Sequence, residues 1–292
     1  MCELAGVSRA SFYRHWEKRE PAAAETELRG AIQRLALAHR YYGYRRIAEL
    51  LHREGFIAGA KKVRRLMRED NLLAIRRRKF VATTDSNHCF RVWPNLAQYL
   101  ELTDINQLWV ADFTFVRLED EFVYLAVLLD AYSRRVIGWS LQQAMNSGLV
   151  VDALKKAMEA RHPLPGLVHH SDQGVQYASM EYVEMLENSG AMLSMSHAGC
   201  PWENGRCESF IKTLKHEEID ARPYRTIEEL TAHVEEFIER IYNPVRLHSA
   251  LAYLSPVEFE QRQELGKDAA PWLPATMSFP RHREISSDDL SH

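Results

Sequence analysis

The stretch PWENGRCESFIKTLKHE, residues 201–217, has the pattern of a helix with one apolar and one polar face. With successive residues about 100° apart around the axis, Phe210, Ile211 and Leu214 share a sector and are expected to face a core. The adjoining sector carries Asn204, Glu208, Lys212 and Lys215. Taken alone, a Glu–Lys face is typical of a helix surface in water. Whether the polar face of this helix has a function must therefore be judged from the elements that precede the helix in the chain.

Strand-like runs come before this helix and are separated by short polar turns. Residues 108–116, 122–130 and 134–142 are rich in β-branched and aromatic side chains, and they predict a three-stranded antiparallel meander. The other elements expected in this half of the chain are a helix at about 148–161, the short buried strand LVHHS, a helix at 179–188, the strand AMLSMS, a helix at about 226–241 and a short last helix at SPVEFEQRQ.

Two aspartates occupy unusual positions in this pattern. Asp112 lies in the middle of the first strand, where Asp is rare, and a buried carboxylate is costly unless something neutralises it. Asp172 follows the strand LVHHS at the start of a turn, where Asp is also common for conformational reasons alone. Between Asp172 and Glu208 lie 35 residues. We call Asp112, Asp172 and Glu208 the acidic triad.

Charge is distributed unevenly along the chain. Residues 1–80 hold 19 Lys and Arg against 9 Asp and Glu, a balance of +10, whereas residues 81–292 hold 18 against 31, a balance of −13. The basic part is expected to bind a polyanion. The acidic part is consistent with carboxylates gathered to hold cations.

The basic part is predicted to be all-helical, with two helix-turn-helix modules. Residues 1–18 give a short helix, a turn at Gly6 and a second helix. A helix at about 25–39 follows, and the stretches YGYRRIAELLHREGF and AKKVRRLMREDNL form the second module. A plain helical bundle with a solvated basic face is the alternative. The residues predicted to contact DNA here are Arg9, Ser11, Arg14, Lys61, Lys62, Arg64 and Arg65.

Composition excludes several classes of protein. No apolar run reaches the roughly 18 to 20 residues that span a bilayer, and the N-terminus lacks the apolar run of a signal peptide. We therefore expect a soluble, intracellular protein. The four cysteines have no paired spacing, and Cys200 and Cys207 with His197 fit no common zinc pattern.

The order of the acidic triad, with Lys215 seven residues after the glutamate, resembles the DDE transposases and retroviral-type integrases of the RNase H-like superfamily. Longer motifs, spread over about residues 5–260, resemble the catalytic product of the insertion-sequence-three family of bacterial transposases. These motifs are YGYRRIAELLHREG, WVADFTFV, LLDAYSRRVIGW, HHSDQGVQY, SMSHAGCPWENGRCESFIKTLKHE and YNPVRLHSALAYLSPVEF.

The resemblance implies an enzyme that cleaves and joins DNA strands at the ends of an insertion sequence. The acidic triad would hold two Mg²⁺ or Mn²⁺ ions, and Lys215 would complete the catalytic residues by contacting a DNA phosphate beside them. Asn204 is expected to steady Glu208 or to contact DNA, and Lys212 to add positive potential. The implied partners are element-end and target DNA, further copies of the chain, and the product of an upstream reading frame as a fusion partner. The resemblance also implies a bacterial, cytoplasmic protein associated with the nucleoid.

Other residues that match the family pattern have less defined roles. Asp130 matches it at the end of the second strand, where a turn-capping role is favoured. Asn243, Arg246 and His248 match a motif after the core, and the sequence assigns them no role. The adjacent His169 and His170 are expected to face opposite sides of a strand, which makes them poor joint ligands.

The predicted organisation has four parts: a helical DNA-binding region at 1–80, a linker at 81–105, a mixed α/β, RNase H-like catalytic domain with C-terminal helices at 106–262, and an unstructured tail at 263–292. The alternative function is a non-catalytic DNA-binding regulator of transposition, which has no reason to keep three converging acids. A retroelement integrase is disfavoured because its N-terminal His/Cys zinc module is missing.

Overall fold

The computed structural model describes residues 23–72, 91–197 and 199–265 of the chain. The helix-turn-helix predicted at residues 1–18, with Arg9, Ser11 and Arg14, lies outside the described residues, and so does the predicted tail from residue 266. Residues 263–265, which were predicted to belong to the unstructured tail, instead form the end of the helix Pro256–Leu265. Within the described ranges, no helix combines the length and the apolar character needed to cross a membrane.

A mixed sheet forms the centre of the larger structural unit. Its strands are β1 (Leu108–Arg117), β2 (Phe122–Asp130), β3 (Val136–Gln142), β4 (Val168–Ser171) and β5 (Met192–Met195). The strand order is β3-β2-β1-β4-β5. The first three strands form the predicted antiparallel meander, and β4 and β5 run parallel to β1 on its other side. The strand that carries Asp112 is therefore the central one.

The helices lie close to their predicted positions. They are α1 (Ala23–Ala38), α2 (Tyr44–Arg53), α3 (Ala60–Glu69), α4 (Ser147–Arg161), α5 (Met180–Asn188), α6 (Gly205–Glu217), α7 (Ile227–Glu236) and α8 (Pro256–Leu265). Shorter turns are the 3₁₀ segments Val175–Ala178, Pro201–Asn204, Ile219–Ala221 and Ser249–Leu251 and a π-helix at Phe237–Tyr242.

Alternation along β1 directs successive side chains into two separate cores. Leu108 and Val110 pack with buried residues of α6, α7 and the π-helix. Trp109 and Ala111 pack with buried residues of α4 and α5 on the opposite face. By the same alternation, Asp112 belongs to the face that α6 covers.

The three N-terminal helices enclose a core of their own, which includes the fully buried side chains of Ile32, Ile47, Leu51, Leu66 and Met67. Leu247, from the segment after the π-helix, joins this core. Its backbone N–H donates to the hydroxyl of Tyr42 at 3.0 Å, and its carbonyl accepts from Arg46 Nε at 2.9 Å. The helical unit is thus attached to the C-terminal segment of the catalytic half.

The predicted helix at 226–241 continues from α7 directly into the π-helix, which the sequence pattern did not indicate. The backbone N–H of Asn243 donates to the carbonyl of Ile238, five residues earlier, at 3.0 Å. The side chain of Asn243 then meets the start of β3. Its Oδ1 accepts from Val136 N and its Nδ2 donates to Val136 O, both at 3.0 Å. Asn243, to which the sequence assigned no role, fastens the C-terminal segment to the sheet.

The second half of the predicted linker, residues 91–105, has no helix or strand but lies against the sheet. The backbone N–H of Leu96 donates to Ser194 Oγ on β5 at 2.8 Å, and Asn95 Nδ2 donates to Glu203 Oε2 at 2.9 Å. These contacts hold the segment along the edge of the sheet before the chain enters β1.

We predict that Gly138→Ala destabilises the fold, because β3 and α4 approach each other closely at this residue. A Cβ at residue 138 would lie 2.3 Å from the carbonyl oxygen of Ala153 and 2.9 Å from Ala157 Cβ. Overpacking of this kind lowers the free energy of unfolding by about 1–3 kcal/mol. Thermal or denaturant unfolding measures the change.

Gly30→Ala is the matched control. Gly30 lies inside α1, and a Cβ there would have nothing within 4 Å. The same substitution should raise stability by up to about 1 kcal/mol, since glycine is a poor helix former. Equal effects of the two variants would contradict the close packing of β3 on α4.

Candidate active site

Asp112 and Asp172 meet where β1 and β4 run side by side. Val110 pairs with His170 in the parallel register, and each aspartate lies two residues beyond that pair. Because adjacent strands are about 4.8 Å apart, the two carboxylates leave the sheet at the same level on neighbouring strands.

Helix α6 is placed over the same point of the sheet by two side chains of its N-terminal end. Asn204 Nδ2 donates to the carbonyl of Ala111 at 2.8 Å. Cys207 Sγ lies 3.9 Å from the carbonyl of Val127, the residue that pairs with Asp112 across β1 and β2. Glu208 comes next in the helix. The third member of the acidic triad therefore lies beside the first two.

The electrostatics of Asp112 show how closely the three acids interact. Burial raises the pKa of Asp112 to about 8, with further increases from the negative charges of Asp172 and Glu208. A hydrogen bond from the backbone N–H of Phe113, at 2.8 Å, opposes this rise in the pKa. Burial and the two neighbouring acids thus disfavour the ionised form of Asp112 in this structure.

Lys215 and Lys212 take different places around Glu208. Lys215 Nζ lies 5.0 Å from the centre of the Phe115 ring. Burial lowers the pKa of Lys215, while the charges of Asp220 and Asp112 act in the opposite direction. Lys212 is exposed and forms an ion pair with Glu208 at 2.8 Å. Lys215 is therefore the cation on the inner side of α6.

Family models match both the helical unit and the catalytic half of the chain. An HTH-like domain model matches residues 23–80, and integrase core domain models match residues 103–201 and 189–256. The transposase for insertion sequence element IS904 from Lactococcus lactis is 38% identical over 221 residues, which cover 75% of this chain and 87% of that protein. Transposase InsF for insertion sequence IS3A from Escherichia coli is 33% identical over 268 residues, covering 90% and 93%.

The chain belongs to the insertion-sequence-three (IS3) transposase family. The 31 kDa protein of insertion element IS600 from Shigella sonnei is also similar, at 36% identity over 267 residues, or 90% of this chain and 98% of that protein. Among solved structures, the HTLV-2 integrase catalytic core in complex with magnesium aligns with 54% of this chain and 97% of its own length, at 18% identity and a TM-score of 0.41. The expected RNase H-like core, preceded by a helix-turn-helix-like region, is confirmed.

In this transposase, the side chain of Asn204 is buried between the start of α6 and β1. Its side chain is only 4% exposed, and its amide is used by the backbone of β1. This contact agrees with the expected alternative that Asn204 steadies Glu208, and contact of Asn204 with DNA stays a prediction. Asn204 positions the helix that carries Glu208.

Cys207 also has a clear structural place. Cys207 is fully buried and continues the apolar seam of α6, one turn before Phe210 and two turns before Leu214. Burial raises the pKa of its thiol further above the ordinary range, so it packs as a small apolar group. In the sequence, the spacing of three residues between Cys207 and Phe210 was the pattern that could have indicated a buried position for Cys207.

Two smaller expectations of the transposase sequence are confirmed. Asp130 caps the turn after β2, where its Oδ1 accepts from the N–H groups of Tyr132 and Ser133 at 2.9 and 3.0 Å. The adjacent histidines have separate partners. His169 Nε2 meets the hydroxyl of Tyr182 and His170 Nδ1 meets Ser194 Oγ, both at 2.8 Å.

The basic residues predicted to contact DNA form an exposed row on α3. Lys61 and Lys62 are exposed and form no ion pair with any described residue. Arg64 lies over the ring of Tyr44 at 5.5 Å, and Arg65 pairs with Glu69 at 3.3 Å. All four can reach a ligand in solvent, and their role in DNA binding stays a prediction.

We predict that Asn204→Ala weakens both the fold and the active site. The substitution leaves the carbonyl of Ala111 without its donor, which costs about 1–3 kcal/mol of unfolding free energy for a buried acceptor. It also releases the start of α6, so that strand cleavage should slow more than DNA binding weakens. Thermal unfolding and single-turnover cleavage measure the two effects.

Asn188→Ala, at the exposed end of α5, is the control for loss of an asparagine side chain. If Asn204→Ala unfolded at the same temperature as Asn188→Ala and cleaved DNA as fast, the anchoring role of Asn204 would be refuted.

Proposed function

We propose that this transposase cleaves DNA strands at the ends of its insertion sequence and joins them to target DNA by phosphoryl transfer assisted by two divalent cations. The observation that carries the proposal is the placement of Asp112 on the central strand beside Asp172, under the first turn of the helix that carries Glu208. The charges of Asp172 and Glu208 both act on the buried Asp112, and a bound cation would offset the cost of placing three acids from three separate elements so near one another.

The donor chemistry of the acidic triad fits Mg²⁺ or Mn²⁺. Its members offer only carboxylate oxygens, which are the ligands that hard cations prefer. Two carboxylates about 4 Å apart repel by about 4 kcal/mol at an effective dielectric constant near 20, so a cation between them relieves a real cost. In the part of the chain that the structure describes, no three potential ligand residues lie close enough together to hold a metal ion. Glu208 would therefore have to turn from Lys212 toward the aspartates to complete the site.

When bound, two such ions would stabilise the attacking and leaving oxygens of an in-line displacement at phosphorus. The protein's own groups have other tasks. Asn204 and the apolar seam of α6 fix the helix, and Asp112, whose ionised form is disfavoured by burial and by the neighbouring acids, would ionise when a cation offsets that cost. Lys215, which lies against Phe115 on the inner side of α6, would contact a phosphate of the bound strand.

DNA binding is assigned to the helical unit and to residues 1–18. The exposed Lys61 and Lys62, with Arg64 and Arg65, would neutralise backbone phosphates away from the acids. We further propose that several copies of the chain act together on DNA and that an upstream reading-frame product serves as a fusion partner. A non-catalytic regulator would use the same basic surface, but it would gain nothing from the acidic triad.

We predict that Asp112→Asn, Asp172→Asn and Glu208→Gln each abolish nicking of element-end DNA in Mg²⁺ and leave DNA binding nearly unchanged. Each variant removes one charged oxygen ligand and keeps the shape of the side chain. Glu184→Gln, on the exposed surface of α5, is the control for a neutralised carboxylate. A triad variant that nicks at the rate of Glu184→Gln would lose its place in the site.

A second measurement separates metal binding from catalysis. Mg²⁺ or Mn²⁺ should raise the melting temperature of the wild-type chain by mass action, and Asp112→Asn should lose most of this response. If the cations stabilised both proteins equally, the acids would not form a shared metal site, and the regulator would become the better explanation.

We predict that Lys215→Ala binds DNA with little loss but joins strands about 100-fold more slowly, the order expected when one contact to the reacting phosphate is removed. Lys212→Ala is the matched control, since it removes the same charge from the outer side of the same helix. Binding isotherms and single-turnover strand transfer on one substrate compare them. Equal joining rates for the two variants would contradict the role of Lys215.

A further inference from the structure

A second site lies on the far side of α6 from the acidic triad. It is a cavity of about 150 Å³ at the junction of the helical unit and the catalytic core. No carboxylate is among its lining residues in the described part of the chain. Four arginines from four separate segments line it, together with one histidine: Arg46, Arg134, Arg206, Arg246 and His248. We call this cavity the arginine pocket.

The positive charge of the arginine pocket is only partly compensated. Arg246 forms a two-pronged ion pair with Glu217 at 2.7 and 2.9 Å. Arg134 and Arg206, in contrast, pair with no carboxylate of the described residues. Both line the same cavity. Arg134 is half-buried and Arg206 is exposed, so both guanidinium groups are accessible to an anion from solvent.

Backbone geometry at Arg134 supports the same conclusion. Its φ of 63° lies in the left-handed region, which costs a residue with a side chain roughly 1 kcal/mol or more and is often retained at functional sites. The turn is fixed by Asp130, whose carbonyl accepts from Arg134 N at 2.9 Å. The side chain is thus held in the pocket by a turn that another residue type would form more easily.

The histidine adds an unpartnered polar atom. His248 Nε2 is buried and has no hydrogen-bond partner among the described residues. Burial and the charges of Arg246, Arg46 and Arg134 lower the pKa of His248 to about 3. The neutral ring can still donate from Nε2 when Nδ1 is the acceptor. An anion in the cavity would give this atom a partner.

Helix α6 connects the pocket to the active site. Arg206, Ser209 and Thr213 all line the pocket, and they lie about 100–160° around the helix axis from Glu208. The helix thus has three faces: an apolar face on the core, the face of Glu208 and Lys215, and a face of arginine and hydroxyl groups. A helix with side chains is about 10 Å across, so that distance separates the two polar faces.

We propose that the arginine pocket binds a phosphate of the DNA backbone and holds the strand at a set distance from the acidic triad. This inference rests on the proposed DNA strand transfer. A cavity of this size is smaller than the roughly 300–1,000 Å³ of small-molecule sites, so it suits one anionic group of a polymer. At 3.4 Å per nucleotide of one strand, about 10 Å corresponds to about three nucleotides. Because Arg46 belongs to α2, the bound phosphate also joins the helical unit to the core.

The first test is the salt dependence of DNA binding by the full chain, measured in EDTA so that cleavage plays no part. Replacing Arg134→Gln and Arg206→Gln together should lower the slope of log K against log[salt] by about 0.9, the value for one phosphate contact. The control is Arg240→Gln with Arg262→Gln, two exposed arginines outside the pocket. An equal change in both double variants would overturn the proposal.

The second test identifies the source of the anion. Element-end DNA carrying one neutral methylphosphonate at successive positions should bind the wild type more weakly at one position, near three nucleotides from the cleaved bond. The pocket double variant should not respond at that position. If inorganic phosphate raised the melting temperature of the wild type but not of the variant, and no methylphosphonate position distinguished them, the pocket would hold a free anion and the DNA proposal would be wrong.

These outcomes are separate from those of the proposed catalysis. A wild type that nicks and joins DNA, with an unchanged slope in the pocket variant, would overturn the pocket alone. A wild type that never nicks DNA in Mg²⁺, with the expected change of slope, would overturn catalysis and retain the pocket as a DNA contact.

Discussion

The parallel pairing of β1 with β4 imposes the constraint on which the rest of the molecule depends, because it sets two aspartates side by side at the end of the sheet. Like charges at this separation repel, and burial withholds the water that would screen them. The raised pKa of Asp112 is the direct consequence. A fold that keeps such a pair must hold it rigidly from both sides, since otherwise the strands would part or the acids would turn away.

That rigidity comes from α6. Its apolar seam is buried in the core, and the amide of Asn204 reaches the backbone of β1 one residue before Asp112. The helix therefore has little freedom to slide or rotate, and the backbone of Glu208 is fixed relative to the aspartates by the same contacts that stabilise the domain. Stability and site geometry depend on the same bonds, so changes at Asn204 act on both.

The sequence alone predicted the parts of this arrangement that depend on local patterns. The strands of the meander, the helices around them and the apolar seam at Phe210, Ile211 and Leu214 follow from periodicity, and the triad followed from its order and family resemblance. Contacts between segments that are distant in the sequence could not be predicted in this way. The bond of Asn204 to Ala111 spans 93 residues, and the bonds of Asn243 to Val136 span 107. Neither partner carries a local sign of the other, so Asn204 was left with two alternative roles and Asn243 with none.

The opposite charges on the two polar faces of α6 couple the active site electrostatically to the rest of the fold. The acidic triad lies on one side of the helix and uncompensated arginines lie on the other, about 10 Å apart. Unit charges at that distance attract by about 1.7 kcal/mol at an effective dielectric constant near 20. Each cluster therefore lowers the cost of keeping the other without its ligand. An anion bound by the arginines would cancel part of this attraction, so the acids would bind cations more tightly. By linkage, cations at the acids would in turn favour the anion. A strand that reached both faces of α6 would thus strengthen the metal site at the moment when DNA is present to be cut.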